Sequence, residues 1–343
     1  LLFGAFSAAV AGTVAGNPWV GLLAAMLGAV LVAAVLALAF VAWGFLSPVG
    51  LGTASASAPS RNCRTRWRRC AHSSPRKETA MTTRIDMNCD MGESYGAWTM
   101  GNDAAVLQYV SSANIACGFH GGDPATMRKT VAAALKQGVA LGAHPSLQDL
   151  AGFGRRAMQI SPNEAYDIVV YQIGALAGVA ASQGARLHHV KAHGALYNMA
   201  AKDEHLARAI CQAVKDVDAT LILYGLAGSR LIEAARDIGL AAASEVFADR
   251  SYQDDGSLTP RTRAGAMIED VDQAVAQVVR MVREGKVRSV GGKDVPVQAD
   301  TLCIHGDQPN ALVFASGIRQ ALEAAGIEVR TPPPRPQARA TSR

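Results

Sequence analysis

The first 60 residues contain no Asp, Glu, Lys or Arg. Without a charged leading region, and with an apolar run too long for one, a secretory signal peptide is a poor reading of that stretch. Aromatic residues are scarce, at 6% of the chain, yet half of all residues are apolar, so 343 residues leave room for a large core. The six cysteines include no CxxC pair. This argues against a disulfide framework and fits a reducing compartment. No GxxxxGK[ST] phosphate loop occurs; "VGGKD" at 290–294 lacks the spacing and the following Ser or Thr. HExxH and other local metal-ligand spacings are also missing. The net charge of +5 is not a nucleic-acid footprint. Residues 61–80 hold a local +6 and residues 331–343 another +3, so residues 81–330 are left at −4.

What is present falls into unlike pieces. Trp19 to Leu46 reads "WVGLLAAMLGAVLVAAVLALAFVAWGFL", longer than the ~20 residues a membrane-spanning helix needs. The cluster "RNCRTRWRRC" follows, and by the positive-inside tendency would face the cytoplasm. The stretch "GNPWVGLLAAMLGAVLVAAVLALAF" resembles a fragment of a sugar-type ABC importer permease. The expected organisation is a hydrophobic, transmembrane-like segment over 1–48, a Ser/Pro/Arg-rich linker over 49–80, an independent enzyme domain over 81–331 and a disordered Pro/Arg tail over 332–343. Residues 81–343 are expected in the cytoplasm, with contact to a membrane only through residues 1–48.

From Met81 strand and helix patterns alternate. Strands are predicted at 84–89, 112–116, 139–142, 186–191, 220–224, 241–246 and 301–304, and helices at 124–137, 161–183, 203–217, 227–237, 270–284 and 308–325. Asp123-Pro124 places a capping carboxylate before a proline suited to the first helical position. Ser161-Pro-Asn-Glu164 is a capping box. Gly138 and Gly184 stand where helices should stop. Such alternation gives a parallel sheet with helical cover, open or closed. "VRSVGGKDVPV" reads as an added hairpin turning at Gly291-Gly292.

In parallel α/β folds the segments after the strand C-termini gather on one face, where sites are built. Six of the seven predicted strands deliver ionisable groups to that rim. The candidate catalytic set is Asp90, His120, Asp123, His144, Lys191, His193, Glu245, Asp249, Arg250 and His305. The candidate substrate-binding set is Asn88, Glu93, Asn114, Arg155, Tyr197, Asn198, Tyr252 and Asp307. In "NIACGFHGGDP" the glycines around His120 would let a ligand come close. Taken singly, Asp123 and Asp307 are helix caps, His120 and His144 loop histidines, Arg155-Arg156 a solvated corner, and Cys89 and Cys117 small core residues. The joint pattern resists that reading, because His120, His144, His193 and His305 each follow a strand.

"DMNCDMGESYG", "ANIACGFHGGDP", "GAHPSLQDLAGFGRR", "KAHGALYN", "EVFADRSYQDDGSL" and "CIHGDQPNA" occur in this order. Together they resemble the LamB/YcsF family of prokaryotic 5-oxoprolinase A subunits over residues 84–331. Ala192 and Gly121 stand where that family has proline and alanine. The resemblance implies a distorted (β/α)7-type barrel of the glycoside hydrolase/deacetylase kind. It implies ATP-dependent opening of 5-oxoproline to L-glutamate, with ATP as co-substrate and separate B and C subunits as partners.

Lactam opening needs an activated carbonyl, a nucleophilic water and a proton for the leaving nitrogen. Asp90 or Glu245 would serve as base, His120, His193 and His305 would move protons, and Lys191 and Arg250 would stabilise negative charge. No metal ligand is assigned, although Asp90, His120, His144 and Glu245 would suit a divalent ion. The rival classes are a metal-dependent deacetylase acting on N-acyl sugars, a binding module without activity, and a transport component. The intact rim speaks against the second of these, and the lack of further spans against the third.

Overall fold

The structure is a computed structural model that describes residues 84–304 and 311–333. Seven parallel strands close into a barrel: β1 (Arg84–Met91), β2 (Ser112–Ala116), β3 (Ala140–His144), β4 (His189–Lys191), β5 (Ile222–Leu226), β6 (Ala241–Phe247) and β9 (Thr301–Ile304). Closure comes from β9, which pairs with β6 on one side and β1 on the other, so no long edge is left unpaired among these strands. Between β6 and β9 lies the antiparallel hairpin of β7 (Lys286–Arg288) and β8 (Asp294–Pro296), turning at the expected glycines. The two-residue strand β10 (Glu328–Val329) adds to the start of β1.

The helices form where the local signals ask for them. Helix Pro124–Gln137 starts on the Asp123 cap and stops at Gly138 in the left-handed conformation. Helix Pro162–Ala181 starts on the complete Ser161/Glu164 capping box. Glu204–Val217, Arg230–Asp237, Val271–Glu284 and Ala311–Ala324 follow at the predicted places. Asp103–Val106 and Gly194–Ala200 are additional to the predicted helices; both are too short to show a helical period.

The strands are buried on both faces. Ile85, Met87, Cys89 and Met91 join the main apolar core. The alternate residues Asp86, Asn88 and Asp90 bond to groups from other strands and their ends, inside the barrel. Cys89, Cys117, Cys211 and Cys303 are buried and free.

The expected membrane-like segment is corrected here. Among the described residues no helix is long and apolar enough to cross a membrane. The longest, Pro162–Ala181, has 20 residues but carries Glu164, Asp167 and the buried amide of Gln172. It turns Val169, Ile173 and Leu176 into the core, as a barrel helix does. Residues 1–48, on which the span, the membrane contact and the anchor were placed, lie outside the described residues, as do the linker over 49–80 and most of the tail over 332–343.

Candidate active site

The barrel interior is built in polar layers. At the lower end the Asp86 carboxylate accepts from Ser111 Oγ (2.6 Å), Ser112 Oγ (2.7 Å) and Thr301 Oγ1 (2.6 Å). Burial pushes its carboxyl up from the ordinary value, and these hydroxyls together with that of Tyr224 pull it part of the way back. One layer higher, Asn88 Oδ1 accepts from Asn114 Nδ2 at 2.7 Å, while Asn114 Oδ1 accepts from His189 Nε2 at 2.8 Å. Gly142 makes room for that imidazole: a Cβ there would stand 2.0 Å from the His189 Nε2.

Above them sits Lys191, 3% exposed. Its ammonium donates to Asp90 Oδ1 (2.9 Å) and Asn88 Oδ1 (3.2 Å), lies 2.9 Å from Glu245 Oε1, and meets Cys303 Sγ at 3.0 Å. Burial disfavours the charged amine, yet Asp90, Cys303 and Glu245 outweigh it and hold its proton on well above the ordinary value. Glu245 is fully buried; its Oε2 accepts from the Tyr197 hydroxyl at 2.6 Å. Burial, then the Glu245 charge, push that phenol up.

The rim carries the histidines. His144 ends β3, and its Nδ1 donates to the Lys191 carbonyl at 2.7 Å. Its Nε2 lies 3.3 Å from Asp90 Oδ2 and 2.9 Å from His193 Nδ1. His193 Nε2 donates to the Phe153 carbonyl at 2.9 Å. His120 stacks on His193 with ring centroids 3.8 Å apart, and its Nε2 reaches Glu93 Oε1 at 3.2 Å. Burial, and then the neighbouring histidines, push both His120 and His193 well below their ordinary value, so neutral rings are favoured. Glu93, His120, His144 and His193 present ligand atoms that all lie within 4.8 Å of one another, a set able to hold a metal ion.

The cluster opens on a cavity of about 380 Å³, lined by Asp90, Glu93, His144, Lys191 and His193 at its floor. Arg155, Lys202, Arg250 and Arg261 line the same cavity. Arg250 donates to the Thr259 carbonyl at 2.6 Å, and burial, then the Arg261 charge, lower its guanidinium from the ordinary value. A carboxyl-bearing molecule of modest size meets a cationic mouth there.

Asp90, Glu93, His144, Arg155, Lys191, His193, Tyr197, Asn198 and Arg250 thus meet at one cavity, with His120 and Glu245 touching its wall from behind. Other candidates lie elsewhere. Asp123 lines a different cavity and accepts from the Ala125 and Thr126 amides as a helix cap. Asn88 and Asn114 are sealed beneath the floor. Tyr252 accepts from the Phe247 amide and lines a separate cavity of about 430 Å³. Asp249 is buried, and its carbonyl accepts from the Ile268 amide. His305 and Asp307 lie outside the described residues.

The glycines around His120 serve the chain rather than a ligand. Gly118 and Gly122 adopt positive φ. A Cβ on Gly121 would stand 2.5 Å from the Glu93 carbonyl oxygen, and one on Gly122 would stand 2.6 Å from that of Ala116. They bring the His120 turn against the Glu93 turn, which lets the two side chains meet.

Phe153, Lys202 and Arg261 escaped the sequence reading. Phe153 holds φ 55, rare for a bulky residue, with its ring edge-on to His120 and His193. The signal was the "GFG" triplet, whose outer glycines pack too closely for a side chain. Arg156, by contrast, is spent on Asp149 and points outward.

The sequence profile of the LamB/YcsF family matches residues 85–337. The chain is 77% identical over 250 residues to the A subunit of a 5-oxoprolinase from Bordetella pertussis, covering 73% of this chain and 99% of that protein. It is 62% identical over 245 residues to the corresponding 5-oxoprolinase subunit from Bacillus subtilis, covering 71% of this chain and 95% of that one. A crystal structure of a lactam utilization protein from Thermus thermophilus is similar with a TM-score of 0.70 at 50% identity, over 72% of this chain and 99% of that chain.

Proposed function

The chain belongs to the LamB/YcsF family, and from that membership we propose that it opens the ring of a cyclic amide such as 5-oxoproline by hydrolysis, as one subunit of a multi-subunit, ATP-dependent enzyme. The 77% identity along nearly the whole Bordetella pertussis subunit carries this reading. Relatives matched along their full length are named for lactam chemistry, which favours it over deacetylation of an N-acyl sugar.

The cavity suits the substrate class. Its volume of about 380 Å³ takes a small ring. Arg155, Arg250 and Arg261 attract the carboxylate of such a substrate and orient its amide toward the floor. There Asp90 takes the proton of an attacking water. Glu245 is less suited to that role, because Lys191, Asn88 and Tyr197 already engage its two oxygens in full burial. Lys191 holds Asp90 in place. Asp90 then passes that proton to the departing ring nitrogen, and the Arg250 guanidinium stabilises the oxyanion. ATP, as co-substrate of the assembly, supplies activation of an otherwise unreactive amide. The chain has no glycine-rich phosphate loop of its own, and nucleotide handling is assigned to the assembly as a whole.

The test is to purify the full chain together with its partner subunits and to measure glutamate formed from 5-oxoproline with and without ATP. Glutamate should appear only when this chain and ATP are both present. Equal glutamate formation when this chain is left out would reject the reading.

A further inference from the structure

We propose that Glu93, His120, His144 and His193 form a binding site for one divalent metal ion of the zinc class. The proposal does not rest on the lactam reaction; it rests on how the four side chains are held. Their ligand atoms all fall within 4.8 Å of one another. Neighbouring pairs stand at 2.9 Å (His144 Nε2 to His193 Nδ1), 3.2 Å (His120 Nε2 to Glu93 Oε1) and 3.6 Å (His193 Nδ1 to Glu93 Oε1). Four ligands at zinc bond lengths around a tetrahedron are separated by about 3.3 Å. Each of these pairs is therefore within a few tenths of an ångström of that spacing, and the donor set of three imidazoles and a carboxylate suits zinc or cobalt better than magnesium or calcium.

The outer ring nitrogens give the second observation. His144 Nδ1 faces the Lys191 carbonyl and His193 Nε2 faces the Phe153 carbonyl. A carbonyl only accepts, so both outer nitrogens carry hydrogen. The inner nitrogens then face each other across 2.9 Å, aimed into the cluster. Such a contact needs a cation between or beside the two nitrogens, a proton or a metal ion. Carbonyl acceptors on the far nitrogen are also the usual means by which a protein fixes the tautomer of a metal-binding histidine.

The carboxylates divide the same way. Asp90 and Glu245 share the ammonium of Lys191, whereas Glu93 faces the imidazoles of His120 and His193. The arrangement also revises the ligand set that suited a metal by sequence: Asp90 and Glu245 belong to Lys191, and Glu93 and His193 take their places. Glu93, His144 and His193 line the cavity, so an ion held there faces the cleft.

The experiment strips the full-length protein with a chelator, dialyses it and titrates it with cobalt(II) while the visible ligand-field absorption is recorded. The expected result is an intense band of the four- or five-coordinate kind that saturates at one cobalt per chain and is displaced by one zinc. His193→Gln and Glu93→Gln, each checked for an unchanged thermal melt, should weaken binding at least ~10-fold. Glu245→Gln, which lies outside the set, should still bind cobalt. If His193→Gln does not fold, Glu93→Gln on its loop decides alone. Absence of the band in folded wild-type protein, or unchanged binding in folded Glu93→Gln, overturns the site. Cobalt binding without lactam turnover would leave the site and remove the proposed reaction, and turnover by protein that binds no metal would do the reverse.

Discussion

Two acids on one strand meet opposite surroundings. Asp86 and Asp90 both point from β1 into the barrel, four residues apart. Asp86 is closed in by the hydroxyls of Ser111, Ser112, Thr301 and Tyr224, and no cation touches it among the described residues. Asp90 meets an ammonium and an imidazole and borders the cleft. The lower end is a satisfied polar plug whose partners are neutral; the upper end concentrates charge where water and substrate can reach. Burial alone therefore does not mark a functional acid. What marks it is an ionic partner together with access.

The sharpest way to break the comparison is to remove the cation. Lys191→Met leaves Asp90 and Glu245 buried without it and should cost about 3–5 kcal/mol of stability, read by chemical denaturation, with turnover of the assembled enzyme lost as well. A stability within error of wild type would mean that the two carboxylates are not both ionised around Lys191.

Second comes His120→Asn, which keeps size and some hydrogen bonding but removes the imidazole that stacks on His193 and reaches Glu93. Turnover of the assembled enzyme should fall ~10²-fold or more, with stability changed by no more than about 1 kcal/mol. A large fall in melting temperature with a proportionate loss of activity would make His120 a structural residue of its turn.

The lower plug should behave in the opposite way. Asp86→Ala leaves the hydroxyls of Ser112 and Thr301 short of an acceptor and should cost about 1–3 kcal/mol, while turnover per folded molecule stays at the wild-type level. Loss of turnover in folded Asp86→Ala protein would erase the distinction between the two ends.

Asp123 provides the smallest effect and a sign to check. The Gly96 amide, then the Thr126 hydroxyl and amide, hold its carboxyl at about 2, below the ordinary 3.8. A folded value below the unfolded one stabilises above the ordinary value, and that contribution disappears as pH falls toward about 2. Melts of wild type and Asp123→Asn should therefore differ slightly near neutrality and converge in acid. A difference that persists in acid would assign the effect to cap geometry instead of charge. A chain beginning at Met81 should melt cooperatively, as an independent domain would; aggregation of that chain, relieved only by restoring residues 1–80, would reject the domain division.

Much of this was legible in the chain. The alternation of short apolar runs with capped helical periods located all seven barrel strands, because strand and helix differ in period and because Ser161, Asp123 and Gly138 are local signals. The rim followed from topology, since parallel strands place their C-terminal ends together. Depth was not legible. Asn88 and Asp90 are neighbours of one alternation, and only closure of the barrel decides that one is sealed in and the other reaches the cleft. The cap at Asp123 was legible, but not that capping turns this residue, three from His120, toward a different cavity.

The sequence by itself determined which elements form, where they start and stop, and which face of β1 carries polar side chains, since these depend on neighbours within a few residues. Tertiary structure decided which polar groups become partners. Asp90 and Lys191 are 101 residues apart, and Asn88 and Glu245 are 157 apart. Their pairing exists only because β9 joins β1 to β6 and closes the interior. Once it is closed, low polarity makes every unpaired charge costly, and the positions of the few that remain paired at the rim are set by that cost.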